Sequence, residues 1–310
     1  MKRGICFILI FVLIFGCSAC VKKNQPAVKN GYTFTDDLGR SVTVNSPGRT
    51  AVLLGSFVDV WLLAGGEICA APNDAWEDYD FDLPESTVNL GGTKELNLEL
   101  LLNAKPDFVI ASANSVHHLE WRETLERAGI TTAYFKVSDF DDYLRMLKIC
   151  TDITGNAQAY QEYGLSQKTQ IDEIISRCKG RKQQKILLLR SSAARIRAKN
   201  SYNNVMGEML MNLGCINIAD GSSTLLDDLN IESIAIQDPE KIFIVEVADE
   251  PEKIRECVEN FFNENPLWKE LSAVKSGNVW FMEKKLYNMK PNAEWAEAYE
   301  KLEKILYGEN

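Results

Sequence analysis

The chain holds only two histidines, His117 and His118, and they are adjacent. In extended chain, neighbouring side chains point apart, so the pair cannot jointly close a compact tetrahedral site on one small ion. Either one alone could ligate haem iron or a cobalt centre. The alternative for both is a surface position at the start of a helix through Leu119-Glu120-Trp121-Arg122. No G-x-S-x-G elbow, H-E-x-x-H pair or separated His set is present, so a metal-dependent hydrolase or transferase lacks its converging base, nucleophile and orienter. Of the eight cysteines, most lie in apolar stretches such as Glu67-Ile68-Cys69-Ala70-Ala71 and read as small core residues. An exported chain could oxidise them, but their spacing assigns no disulfide. Basic and aromatic residues gather in two places, Arg190 to Tyr202 and Tyr287 to Lys290.

Those concentrations stand out because the chain is acidic. Its 310 residues carry a net charge of −10, which argues against a nucleic-acid partner. The length exceeds the roughly 250–300 residues that one core usually serves, so two lobes are expected. Met1-Lys2-Arg3 is followed by an apolar run of eleven residues, Ile5 to Phe15. That is too short for the ~20 residues of a membrane-spanning helix and reads as a secretory signal core. Its end, Ile14-Phe15-Gly16-Cys17-Ser18-Ala19-Cys20, resembles the bacterial lipobox, in which a cysteine is diacylated and becomes the first mature residue. Cys17 keeps an aliphatic residue three places upstream and is preferred; Cys20 has smaller residues before it but a cysteine in that place. A redox reading of the Cys17–Cys20 pair fails for want of a surrounding βαβ pattern. Two acyl chains would anchor the protein at a membrane surface, and an ordinary cleaved signal peptide would release it. Residues 1–16 are thus read as the signal and 17–31 as a lipidated tether. Removing the signal takes Lys2 and Arg3 and no acid, so the mature charge is −12.

The elements that must position these residues follow from periodicity. Tyr32-Thr33-Phe34-Thr35 and Ser41-Val42-Thr43-Val44 alternate around Asp36-Asp37-Leu38-Gly39-Arg40, a hairpin signal. Short apolar strands then alternate with helical stretches: Ala51 to Leu54, Ile68 to Ala71, Phe108 to Ala111 and Thr132 to Phe135, later Ile186 to Leu189, Ile242 to Val245 and Val279 to Met282. This predicts α/β lobes with mostly parallel sheets. Between them, Tyr160, Gly164, Gln167, Ile171, Ile174 and Cys178 recur at helical spacing without a proline, so one long helix is expected from Gly155 to about Cys178, roughly 36 Å at ~1.5 Å per residue. The lobes are placed at 32–153 and 181–310, with the connecting helix at 154–180. A closing amphipathic helix runs from Asn292 to Tyr307.

A repeat relates the lobes. Leu96-Asn97-Leu98-Glu99 precedes Pro106, and Leu229-Asn230-Ile231-Glu232 precedes Pro239, every equivalent position being offset by 133. Each copy reads as a short helix, a proline stop and a buried strand. A lipobox, an opening hairpin, two α/β lobes, one connecting helix and the segment Asn97-Leu98-Glu99 to Pro106-Asp107-Phe108-Val109-Ile110 together resemble a substrate-binding protein of an ABC importer. The resemblance is to the class carrying iron-siderophore complexes, haem or vitamin B12. It covers residues 32–307 and includes Trp268-Lys269-Glu270-Leu271 and Val279-Trp280.

The resemblance implies two roles. One surface glutamate per lobe, here Glu99 and Glu232, would pair with arginines of a permease, and related lobes meeting a two-fold partner should present equivalent charges. The ligand would lie between the lobes, beyond the carboxyl ends of the strands. The loops there offer Ser56, Phe57, Trp76, Thr93, Lys94, Asn114 and His117 from the first lobe. The second offers Arg190, Arg195, Arg197, Lys199, Tyr202, Glu246, Tyr287 and Lys290. Arg and Lys suit carboxylates or catecholates of a chelate, and Phe57, Trp76 or Tyr202 would stack on planar groups; for Arg195 and Arg197 a solvated strand edge is the alternative. The expected protein is a non-enzymatic, monomeric, membrane-anchored carrier. It would hold no resident cofactor and pass an iron chelate, or haem or a corrinoid, to a permease with its ATPase. A lipoprotein sensor binding a similar ligand without transport is the other reading.

Overall fold

A computed structural model describes residues 31–202, 204–248 and 250–308; the lipobox cysteines Cys17 and Cys20 lie outside them. The chain opens with the antiparallel hairpin of β1 (Tyr32–Thr35) and β2 (Ser41–Val44). Its turn is held by Asp36, whose buried carboxylate accepts from the Leu38 and Arg40 backbone N–H groups and from the Arg40 guanidinium. Gly39 supplies the positive φ, +75°, that the turn requires.

Two sheets follow. The first is all parallel and runs β5–β4–β3–β6–β7, from β3 (Thr50–Val52), β4 (Ile68–Ala71), β5 (Val88–Asn89), β6 (Phe108–Ser112) and β7 (Thr131–Phe135). The second is built from β8 (Lys185–Ser192), β9 (Arg195–Lys199), β10 (Ile216–Asn217), β11 (Lys241–Glu246) and β12 (Val279–Met282). It runs β10–β8–β11–β12 in parallel, with β9 folded back antiparallel on β8. Strand residues alternate between cores, as a two-residue period demands. Ile186 and Leu188 join a core shared by both lobes, and Leu187 and Leu189 face one belonging to the second lobe. In the first lobe Val52 and Ile110 point to the shared core, Ala51 and Val109 to its own.

The sequence repeat is a structural repeat. The helices Leu98–Asn103 and Ile231–Gln237 are both N-capped by the repeat asparagine: Asn97 accepts from Leu100 N–H (3.0 Å) and Asn230 from Ser233 N–H (2.8 Å). Before each proline sits a non-glycine residue in the left-handed region, Lys105 (φ +49°) and Asp238 (φ +42°). The following strands, β6 and β11, take equivalent places, with β3–β6–β7 matching β8–β11–β12.

The connecting helix differs from expectation at its start and in its middle. Gly155 (φ +76°) terminates the preceding helix Phe140–Thr154, and Asn156 caps a fresh start at Ala157. The helix then passes through a π-turn at Gln161–Leu165 before Ser166–Cys178. There the Tyr163 carbonyl accepts from the Tyr143 hydroxyl and from Gln167 Nε2, both at 2.9 Å, and Gly164 lets Leu144 approach where a Cβ would lie 2.9 Å from it. Gln167 also donates to the Asn292 carbonyl and accepts from Ala296 N–H. Asn292 is fully buried, and its Nδ2 donates to the Ser56 carbonyl (2.8 Å) and the Asp59 carboxylate (2.9 Å). With the Lys284–Asp78 ion pair (2.5 Å), this seam locks the two lobes and the connecting helix into one arrangement.

Candidate functional site

The carboxyl ends of β6 and β7 face those of β8 and β11 across a cavity of about 250 Å³. The first lobe contributes Asn114, in the turn after β6 where its N–H meets Ser112 Oγ, and Ser138, after β7. The second contributes Arg190 on β8, Lys199 on β9, Asn204, and Tyr287, Asn288 and Lys290 from the segment after β12. No carboxylate, histidine, cysteine or methionine lines it among the described residues. Burial pushes the Arg190 guanidinium and the Lys290 ammonium below their ordinary pKa values; for Lys290 the nearby Arg190 charge adds to the effect. Lys199 is lowered for the same reason, with Arg190 and Arg197 contributing. Elsewhere Arg40, Arg145 and Arg177 have carboxylate partners, but Arg190, Lys199 and Lys290 have none within ion-pair distance among the described residues. The cavity thus brings together three cations without carboxylate partners among the described residues, Arg190 exposed and Lys199 and Lys290 half-buried.

Several sequence candidates lie elsewhere. Phe57 is only 2% exposed, its ring edge-on to Phe135 in the shared core, so it offers a ligand no stacking face. Ser56 is buried at the start of the helix Gly55–Leu63, where its carbonyl serves Asn292. Trp76 packs half-buried against the shared core, and Thr93, Lys94 and Glu246 are not among the cavity-lining residues. His117 points outward, its ring Nδ1 3.3 Å from Glu120 on the helix Val116–Glu120, and does not reach the cavity. His118 is buried and accepts the Ser112 N–H at Nδ1 (3.0 Å); burial, aided by His117, pushes its pKa down to about 4. It is a neutral structural residue. Tyr287 does line the cavity, but its hydroxyl donates to the Ala298 carbonyl and burial raises its pKa. Tyr202 is half exposed two residues from Asn204. Arg195 and Arg197 line a smaller concavity beside the cavity, sharing Arg190 and Lys199 with it. Ser138 and Asn204 were not singled out from sequence, although the loop after the strand Thr131–Phe135 was the place to look for the former. Glu99 and Glu232 are both exposed, each at the second position of its asparagine-capped helix.

A family model described as periplasmic binding protein matches residues 51–286, most of the chain and both sheets. The chain belongs to the periplasmic binding proteins. The Fe(3+)-citrate-binding protein YfmC of Bacillus subtilis (strain 168) is 24% identical over 281 residues, covering 88% of this chain and 86% of that protein. Among solved structures, the siderophore-binding protein BauB, bound to two molecules of acinetobactin and ferric iron, superposes with a TM-score of 0.71 at 18% identity. That match covers 90% of this chain and all of that one. S. aureus IsdE, complexed with heme, gives 0.68 at 16% identity over 84% of this periplasmic binding protein and 98% of that chain. These relatives and fold neighbours are substrate-binding proteins rather than enzymes.

Proposed function

We propose that this periplasmic binding protein is a lipid-anchored, extracytoplasmic carrier that captures an anionic iron chelate between its lobes and delivers it to an ABC permease with its ATPase. The observation that carries the reading is the interlobe cavity lined by Arg190, Lys199 and Lys290 without a carboxylate among them, in a chain whose mature charge is −12. A ferric complex of carboxylate or catecholate groups brings its own metal ligands and its own negative charge, so it needs hydrogen-bond donors and cations from the protein. Haem would call for an axial side chain such as a histidine, cysteine, methionine or free tyrosine, and among these the cavity offers only a Tyr287 hydroxyl already committed to Ala298. The iron-citrate relative supports the same chemistry.

Glu99 and Glu232 are the docking charges in this reading: exposed, equivalent in the repeat, and set on rigid helix starts. Cys17, or Cys20, is the anchor, and the seam through Asn292 restricts closure to a small amplitude. Thermal shift against ferric citrate, ferric catecholates, haem and cobalamin tests the ligand class. A ligand at 100-fold its dissociation constant adds ~2.7 kcal/mol of stability. Stabilisation by an anionic ferric chelate is expected; stabilisation by haem or cobalamin alone would overturn the reading.

A further inference from the structure

The two lobes leave their last matching strands differently. In the first, four residues (136–139) carry the chain from β7 into the helix Phe140–Thr154; in the second, twelve (283–294) separate β12 from the closing helix Trp295–Tyr307. Both helices begin side by side, Phe140 and Trp295 meeting edge to face with ring centroids 6.0 Å apart. A strand-to-helix connection in an α/β unit needs only about 2–6 residues, so the second lobe carries an extra length that the fold itself does not require.

That extra length crosses to the first lobe twice. At its start Lys284 pairs with Asp78, at the end of the helix Asp74–Glu77, at 2.5 Å. At its end Asn292 Nδ2 donates to the Ser56 carbonyl and the Asp59 carboxylate of the helix Gly55–Leu63. An exposed Lys285–Glu294 pair (2.9 Å) closes the loop on itself. Between the anchors lie Tyr287, Asn288 and Lys290, which line the interlobe cavity, whereas Asp59, Asp78, Lys284 and Asn292 do not line it. Tyr287 is also fixed by the Ala298 carbonyl, but Asn288 depends on its neighbours, its N–H closing on the Lys284 carbonyl at 2.9 Å. Asn292 is an expensive anchor: it is fully buried, its backbone lies in the left-handed region (φ +50°), and its Oδ1 has no partner among the described residues. A strained, incompletely bonded side chain persists only where its surroundings fix one conformation. Simple adhesion between the lobes does not call for it, because the shared apolar core already supplies that.

We propose that Asp78 and Asn292 are positioning residues: they pin both ends of the strap 284–292 to the first lobe and so hold Asn288 and Lys290 in place for the ligand, which neither anchor touches. This rests on the carrier reading above, in which the interlobe cavity is where the ligand is captured. A strap fixed beforehand spares the ordering of its side chains at the moment of binding. Because the anchors lie on the opposite lobe, these second-lobe cavity residues move with the first lobe.

The test pairs amide hydrogen exchange of the ligand-free protein with calorimetric titration of ferric citrate in excess citrate at fixed ionic strength. Asp78→Asn removes one anchor, and Asn292→Gly removes the other while keeping a residue suited to positive φ. Arg177→Gln, which breaks the Arg177–Glu303 pair between the connecting and closing helices outside the strap, is the control. In both anchor variants the amides of residues 284–292 should exchange about tenfold faster or more, while those of β11 keep their protection. Ferric citrate should bind them about fivefold or more weakly. Arg177→Gln should leave both readouts within about twofold, whatever it does to the melting temperature. The exchanged pair Asp78→Lys/Lys284→Asp should recover both readouts, which general destabilisation would not allow. Unchanged strap protection in both anchor variants, or an affinity within twofold of wild type despite faster exchange, would overturn the proposal. If wild type does not bind ferric citrate, the iron-chelate reading falls separately, and the exchange arm alone decides whether the anchors hold the strap.

Discussion

Asp74 and His118 give the protein opposing pH dependences, and separating them tests how buried titratable groups are held in the first lobe. Asp74 accepts the Gly55 N–H at 3.0 Å through one oxygen, while the other is buried without a partner. Burial raises its pKa to about 6, with Asp78 adding to the effect. The native state therefore holds a proton that the unfolded chain has lost between pH ~4 and 6, so this group's contribution falls as pH rises through that window. His118, pushed down to about 4, does the reverse: it is neutral when native and charged when unfolded between pH ~4 and 6.5, and its contribution rises with pH. With the pKa of about 6, Asp74 removes about 1.4 kcal/mol of stability between pH 5 and 7.5, and nearer 1 kcal/mol after allowance for partial solvent screening. Asp74→Asn keeps an acceptor for Gly55 but does not titrate. Urea denaturation of both proteins at pH 5 and 7.5 reads the difference. The variant should gain about 1 kcal/mol relative to wild type on moving from pH 5 to 7.5, because only wild type carries the Asp74 loss, while the His118 dependence is common to both and cancels. A difference between the two proteins that is the same at both pH values would refute the assignment.

Glu99→Lys with Glu232→Lys should abolish permease-dependent uptake while ligand affinity, measured by titration, stays within about twofold; undiminished uptake would remove both residues from docking. Arg197→Glu puts a carboxylate opposite Arg190 and should raise the ligand-free melting temperature by about 1–3 °C while weakening ferric citrate. His118→Ala leaves the buried Ser112 N–H unpaired and should cost about 1–3 kcal/mol in denaturant unfolding, whereas His117→Ala, on an exposed helix face, should change neither stability nor ligand spectrum.

The fold was legible where periodicity is strong. Buried parallel strands such as Phe108 to Ala111 read as continuous apolar runs, and the Asn-x-Glu to Pro repeat gave the lobe relationship because capping and a proline stop are local events. The start of the connecting helix was less legible, because Gly155 is equally an interruption and a cap until the preceding helix is seen. The π-turn depends on Tyr143 and Gln167 meeting the Tyr163 carbonyl, an arrangement that no local pattern encodes. In the site, position after a strand led to Asn114, Arg190 and Tyr287, which the structure brings to one cavity. It misplaced Phe57 because a loop-to-helix junction can turn its side chain into the core as readily as into a cleft. His117 and His118 were ambiguous for a similar reason: helical rotation, invisible in a dipeptide, sends one outward and the other under Ser112.

In the proposed carrier, the unneutralised cations of the interlobe cavity hold an anionic iron chelate. The direct measurement is the dissociation constant of ferric citrate for wild type and for Arg190→Gln/Lys290→Gln, determined by titration with circular dichroism confirming the fold of both. Removing two charge-assisted hydrogen bonds predicts a weakening of about 100-fold or more. An affinity unchanged by the double substitution would contradict the account.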